Sequence, residues 1–209
     1  MMRFATLPLL AIGAACSPAA PDAAGGNAID NRVAVPVADS ATGNAAVAAT
    51  PEPQAGPRPL LAIAPGGLSL IDPTSGRARQ LEFGVERAIV ARGAEAALGK
   101  AGATGRNGEC GEGAMDFAKF DGLTLWFQDD KFVGWFLDGA TPKLTTASGA
   151  GIGSTRAQVA DALAIRDVPD SSLGREFTTA SGSFSGLLEG QGDDAKVTAL
   201  WSGQACIFR

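Results

Sequence analysis

Two stretches of this chain match each other in order, and that repetition limits the folds open to it more than any other feature. Phe83-Gly84-Val85-Glu86-Arg87-Ala88-Ile89-Val90-Ala91 aligns with Ile152-Gly153-Ser154-Thr155-Arg156-Ala157-Gln158-Val159-Ala160. Both read apolar-Gly-x-x-Arg-Ala-x-Val-Ala. Farther along, Phe120-Asp121-Gly122-Leu123 aligns with Phe184-Ser185-Gly186-Leu187 at an offset of 64 residues. The same offset pairs Asp129-Asp130 with Asp193-Asp194 and Gly139 with Gly203, while Lys131 matches Lys196 one residue out of step. Gly and Ala are common here, so coincidence is the competing reading; the shared order favours duplication.

Each copy reads as a helix followed by strands. In the second, Thr155-x-x-Gln158 has the pattern of a capping box, in which side chain and backbone satisfy each other at a helix start. Val159, Ala162 and Leu163 then share one face at helical spacing. In the first, Ala88, Ala91, Glu95 and Leu98 follow that period, and Gly99 stops it. Leu123, Leu125 and Phe127 next alternate with Thr124, Trp126 and Gln128, the period of a strand. A polar turn at 128–131 leads to a return strand from Phe132 to Leu137. The second copy supplies strands at 183–188 and 196–201 around a Gly/Asp turn. Upstream, Leu60–Ala64 and Leu68–Ile71 form a hairpin around Pro65-Gly66-Gly67. The expected class is therefore α+β, with two tandem helix-then-antiparallel-meander repeats at 81–140 and 147–209 and an N-terminal hairpin at 58–80.

This organisation resembles the β-lactamase-inhibitor protein, built from tandem helix-then-sheet repeats. Gly153-Ser154-Thr155-Arg156-Ala157-Gln158-Val159 also resembles the Gly-x-[ST]-x-x-x-Val helix entry of the small lipoprotein of the outer-membrane β-barrel assembly machine. The two resemblances imply a binding module of the bacterial envelope. The Leu81-Glu82-Phe83-Gly84 segment and the Gly-Leu-x-Leu-x-Phe strand also look like uncharacterised secreted bacterial proteins, which implies no activity.

The start of the chain points to export. Met1-Met2-Arg3 is a short positive segment, and Phe4 to Ala15 is an apolar run too short to span a bilayer but suited to a signal peptide over residues 1–15. Gly13-Ala14-Ala15-Cys16 resembles a lipobox, which implies lipidation of Cys16; ordinary cleavage after Ala15 is the alternative. Ser17 after that cysteine resembles the sorting choice of outer-membrane lipoproteins. Residues 16–57 then form a tether expected to be disordered. Its 41 residues after Cys16 contain 13 Ala, 6 Pro, 4 Gly and no aromatic, too little apolar surface to offset ordering entropy. With Cys16 used by the anchor, Cys110 and Cys206 remain as an even pair in an exported chain, and a structural disulfide is expected. A reactive thiol pair would want a C-x-x-C spacing or a nearby His.

Composition removes whole classes of chemistry. The 209 residues include no His, which excludes Ser/His/Asp and Cys/His nucleophiles and imidazole zinc sites. A net charge of -5 argues against a nucleic-acid partner. Gly149-Ala150-Gly151-Ile152-Gly153-Ser154-Thr155 could suggest a phosphate loop, yet it has no P-loop Lys and no third Rossmann Gly; it reads as a helix entry. Glu109, Glu112 and Asp116 could form a carboxylate pair or a cation site, and alternation would put Glu112 and Asp116 on one strand face; the glycines among them favour a solvated edge beside the disulfide. Asp129-Asp130 and Asp193-Asp194 read as turns. No catalytic, cofactor or metal residue emerges. The leading expectation is a non-catalytic lipoprotein that binds an envelope protein or ligand and meets the membrane only through its lipid. An exported enzyme with a carboxylate or Ser/Lys site, and a purely structural module, are the alternatives. Trp126, Trp135 and Trp201 are the candidate partner surface, or else the core between the copies. Regular alternation sets Trp135 opposite Phe132 and Phe136.

Overall fold

Alternating apolar residues pair into strands along most of the folded chain. The computed structural model describes residues 56–139 and 143–207, all within the compact unit Pro51–Arg209. Cys16, the export signal and nearly all of the tether lie outside the described residues. The first three strands, β1 (Leu60–Ala64), β2 (Gly67–Ile71) and β3 (Ala78–Glu82), make a small antiparallel sheet in that order. Helix α1 (Arg87–Leu98) follows, then β4 (Ala103–Asn107), β5 (Met115–Phe120), β6 (Leu123–Gln128) and β7 (Lys131–Leu137). Helix α2 (Arg156–Leu163) leads into β8 (Ile165–Asp167), β9 (Glu176–Thr179), β10 (Ser185–Glu189) and β11 (Lys196–Gly203). The last eight strands form one antiparallel sheet ordered β4-β5-β6-β7-β11-β10-β9-β8.

The α+β expectation of two tandem helix-then-meander repeats is overturned. Among the described residues the protein is mostly β: sheets of three and eight strands dominate, and the two helices have only 12 and 8 residues. The reason lies where β7 meets β11. Their antiparallel pairing, from Leu137↔Leu200 to Gly134↔Gly203, joins the strands that follow each helix into one sheet with a shared core. The 64-residue offset does not mark equivalent positions throughout. Phe120 closes β5 and Gly122 sits in the next turn at φ 84°, whereas Phe184 precedes β10 and Gly186 lies within it. The Asp pairs both sit in hairpin connections, Asp129 and Asp130 in a two-residue β6–β7 turn with φ of 50° and 58°, and Asp193 and Asp194 in a short 3-10 helix between β10 and β11.

The two helix entries are nevertheless built alike. Gly84 N–H donates to Phe132 O, and Arg87 N–H to Asp130 O; Gly153 N–H donates to Val197 O, and Arg156 N–H to Ala195 O. Each helix thus starts by pairing with the beginning of β7 or β11. Thr155 caps α2 with a complete capping box, while Glu86 caps α1 without a side-chain bond. The buried face of α1 is Val90 and Ala94, one step out of phase with the period read through Ala88 and Ala91.

The main core lies on one face of the eight-stranded sheet. Leu61, Ile63, Leu68 and Leu81 of the small sheet join Val90 and Ala94 of α1, Val159 of α2, and Leu125, Phe127, Trp135, Leu137, Phe177 and Leu200 of the large sheet. Burying one such large side chain contributes about 1.5–3 kcal/mol, so this layer dominates stability.

Candidate functional site

The three tryptophans do not share a face. Trp135 is completely buried in the main core, where its Nε1–H donates to Ala64 O at 3.1 Å and its ring meets Phe184 edge-on at 5.6 Å. It is a structural residue that ties the small sheet to the large one. Trp126 and Trp201 lie on the opposite face, each buried. Regular alternation failed here for an identifiable reason. Trp126 pairs with Gly134 and Phe127 with Phe132, so Val133 is an extra residue bulged out of β7. The bulge returns Phe132 and Trp135 to one face and sends Val133 to the other. Gly134 was the available signal, because a glycine inside a strand marks a bulge or a close backbone approach.

The face away from the helices is organised around the tail that follows β11. Cys110, in the loop after β4, is disulfide-bonded to Cys206, with Cα atoms 5.1 Å apart. Cys110, Met115 and Trp126 form a second small core, with Phe117, Val133, Ala205 and Cys206 packed against it. Phe117 meets Trp126 edge-on at 5.8 Å, and Phe136 stacks on Trp201 with centroids 6.2 Å apart. Asn107 Nδ2 donates to Cys206 Sγ at 3.3 Å. The half-buried Phe117, Val133, Phe136 and Leu187 give this face an apolar character that a solvated antiparallel face normally lacks.

A cleft of about 580 Å³ opens beside the disulfide, lined by Glu109, Gly111, Glu112, Trp201, Gly203, Gln204, Ala205 and Ile207. Glu109 and Glu112 are exposed on its loop side. Asp116 does not join them. It lies in β5, where it takes a 2.9 Å ion pair from Arg87 and a 3.4 Å one from Arg106. The Arg87 guanidinium also sits 5.3 Å from the Phe127 ring centroid. The former trio of carboxylates is thus split between a loop and a structural ion pair.

The glycine-rich segment before α2 serves the helix. Ser154 Oγ accepts from Gly151 N–H at 3.1 Å, Thr155 Oγ1 from Gln158 N–H at 3.1 Å, and Gln158 Oε1 from Thr155 N–H at 2.8 Å. Asp161 lines the adjoining cavity, a poor neighbour for phosphate. Among the described residues, no group of three or more metal-ligating side chains lies together, and no helix is long and apolar enough to cross a membrane. Asp72 has a carboxyl held below its ordinary value, first by the backbone N–H of Ser75, then by the Ser75 side chain and the Thr74 N–H. It is fully exposed in the β2–β3 turn. No family model, curated protein or solved structure matches the chain.

Proposed function

We propose that this chain is an envelope lipoprotein anchored through Cys16, whose folded unit binds an envelope protein on the large-sheet face opposite the helices. The observation that carries this reading is the apolar surface formed there by Phe117, Val133, Phe136 and Leu187 around Trp126 and Trp201. Alternation in an antiparallel sheet with one free face should place polar side chains at such positions. Aromatic side chains supply large contact area at small entropic cost, which suits a docking surface. The likeness of the first sixteen residues to an export signal and lipobox supports the periplasmic, outer-membrane address. The enzymatic alternative has no specific observation in its favour.

The test is site-specific photo-crosslinking in intact cells. A crosslinking residue at Thr124 or Thr198, both half-buried on the face, should give one discrete adduct identifiable by mass spectrometry. The same residue at Asp161, exposed on α2, should not. Equal expression with no adduct from either face position would remove the binding reading. Cys16→Ser should separately release the protein from membranes and abolish labelling by a palmitate analogue; unchanged membrane association would remove the anchor.

A further inference from the structure

The cleft beside the disulfide gives the proposed face a preference for one chemistry. Two exposed carboxylates, Glu109 and Glu112, stand along one side, and among the described residues no Lys or Arg lines it. Trp201 contributes an aromatic wall, already braced from one side by Phe136. A cation brought into such a place gains from the carboxylates and from the indole quadrupole together. Two polar atoms of this corner are shut off from water without a hydrogen-bond partner among the described residues. One is Oε1 of Gln204, which lines the cleft, and the other is Nε1 of Trp126, which shares its apolar cluster with Ala205 and Cys206. Unsatisfied buried polar atoms are costly and uncommon in native structures.

We infer that this cleft receives a Lys or Arg side chain from an extended basic segment of a protein partner, with Glu109, Glu112 and Trp201 holding the cation. The inference rests on the sheet-face reading above, and it names the part of the partner that the face selects. The disulfide has a defined place in it: Cys110 holds the loop that carries both glutamates, and Cys206 holds the tail that forms the opposite side. The bridge therefore fixes the width of the cleft.

The probe is the peptide acetyl-Gly-Gly-Arg-Gly-Gly-amide, titrated into the isotopically labelled full chain and followed by backbone and indole NMR shifts. Saturable shifts centred on Glu109, Glu112, Gln204 and the Trp201 indole are expected, and they should weaken as salt is raised. Replacing the peptide Arg by Gln should abolish them. Glu109→Gln and Glu112→Gln lie on the exposed loop and leave the fold intact; each should weaken binding about threefold, as expected for partly exposed charge pairs. Equal shifts from the Arg and Gln peptides, or affinity unaffected in the double variant, would overturn the inference. The two readings fail separately. Adducts at Thr124 that persist in Glu109→Gln/Glu112→Gln would leave the sheet face standing and remove the cleft. Arg-selective binding without any adduct would do the opposite.

Discussion

Gly134 and Gly203 face each other across the β7–β11 pairing, and at either one a Cβ would strike backbone. At Gly134 it would lie 1.9 Å from the carbonyl oxygen of Gln204, and at Gly203 it would lie 2.3 Å from that of Val133. Gly203 also holds φ at 70°, a left-handed conformation that other residues adopt at a cost. These contacts exist because the tail turns back over the bulged strand, with Gln204 N–H donating to Val133 O. The pair sets how closely the tail, and with it Cys206, approaches the sheet.

Gly134→Ala should therefore destabilise the protein by about 1–3 kcal/mol, the usual cost of overpacking where backbone must move. Gly108→Ala is the control, since nothing lies within 4 Å of its added Cβ and its φ is ordinary. Urea unfolding checks both. Equal midpoints for the two variants would show that the tail does not lie against β7.

The Cys110–Cys206 bridge closes a segment of 96 residues. On the chain-entropy model such a loop is worth about 4–5 kcal/mol, and removal of native disulfides costs about 2–5 kcal/mol. The Cys110→Ala/Cys206→Ala variant should lose stability within that range, and non-reducing peptide mapping of the wild type should recover the linked pair. Two free thiols in protein isolated from an oxidising compartment would refute the bridge.

What the sequence made legible follows the strength of its patterns. Leu123–Gln128 alternates clearly and Phe132–Leu137 is an apolar run after a polar turn, and β6 and β7 lie there. Thr155-x-x-Gln158 marked the start of α2, because a capping box is a local device whose bonds need no tertiary partner. The short edge elements were illegible. Ala-Thr-Gly-Arg-Asn in β4 and Ile-Arg-Asp in β8 show no apolar alternation, since they are held mainly by ladder bonds to β5 and β9. The fold class is not legible locally, because no pattern along the chain reports that β7 and β11, which start 65 residues apart, pair and merge their sheets. The candidate site was half legible: Cys110 and Cys206 could be paired by arithmetic, but the bulge at Val133 decided which tryptophans could face outward.

Asp72 supplies an acid-side prediction. Its Oδ1 accepts from Thr74 N–H at 2.9 Å and Ser75 N–H at 2.7 Å, bonds that favour the charged carboxylate and hold its folded value below the ordinary 3.8. A depressed value means the unfolded chain takes up the proton first. The stabilisation is thus full above the ordinary carboxylate range, and is lost as pH falls below 3.8 and through the folded value. NMR titration of the Asp72 carboxyl should give a midpoint below 3.8, and Asp72→Ala should reduce the dependence of stability on pH there. A midpoint at or above 3.8 would contradict the turn geometry.

The two helix entries offer a test with opposite signs at matching positions. Thr155 and Glu86 are both N-caps in extended conformation, at φ/ψ of -75°/158° and -60°/136°, and each bridges to the first residue of a sheet strand, Lys196 of β11 and Lys131 of β7. Only Thr155 bonds a backbone N–H with its side chain. Thr155→Ala removes that bond and should cost about 1 kcal/mol. At Glu86 no such bond is lost, and its contact with Lys131, at 3.9 Å between exposed groups, is worth little. Glu86→Ser places a hydroxyl in a backbone already shaped for capping, so it should leave stability unchanged or raise it by up to about 1 kcal/mol. Chemical denaturation of both variants at neutral pH decides the matter. A loss at Glu86 as large as that at Thr155 would show that its side chain holds α1 in some other way.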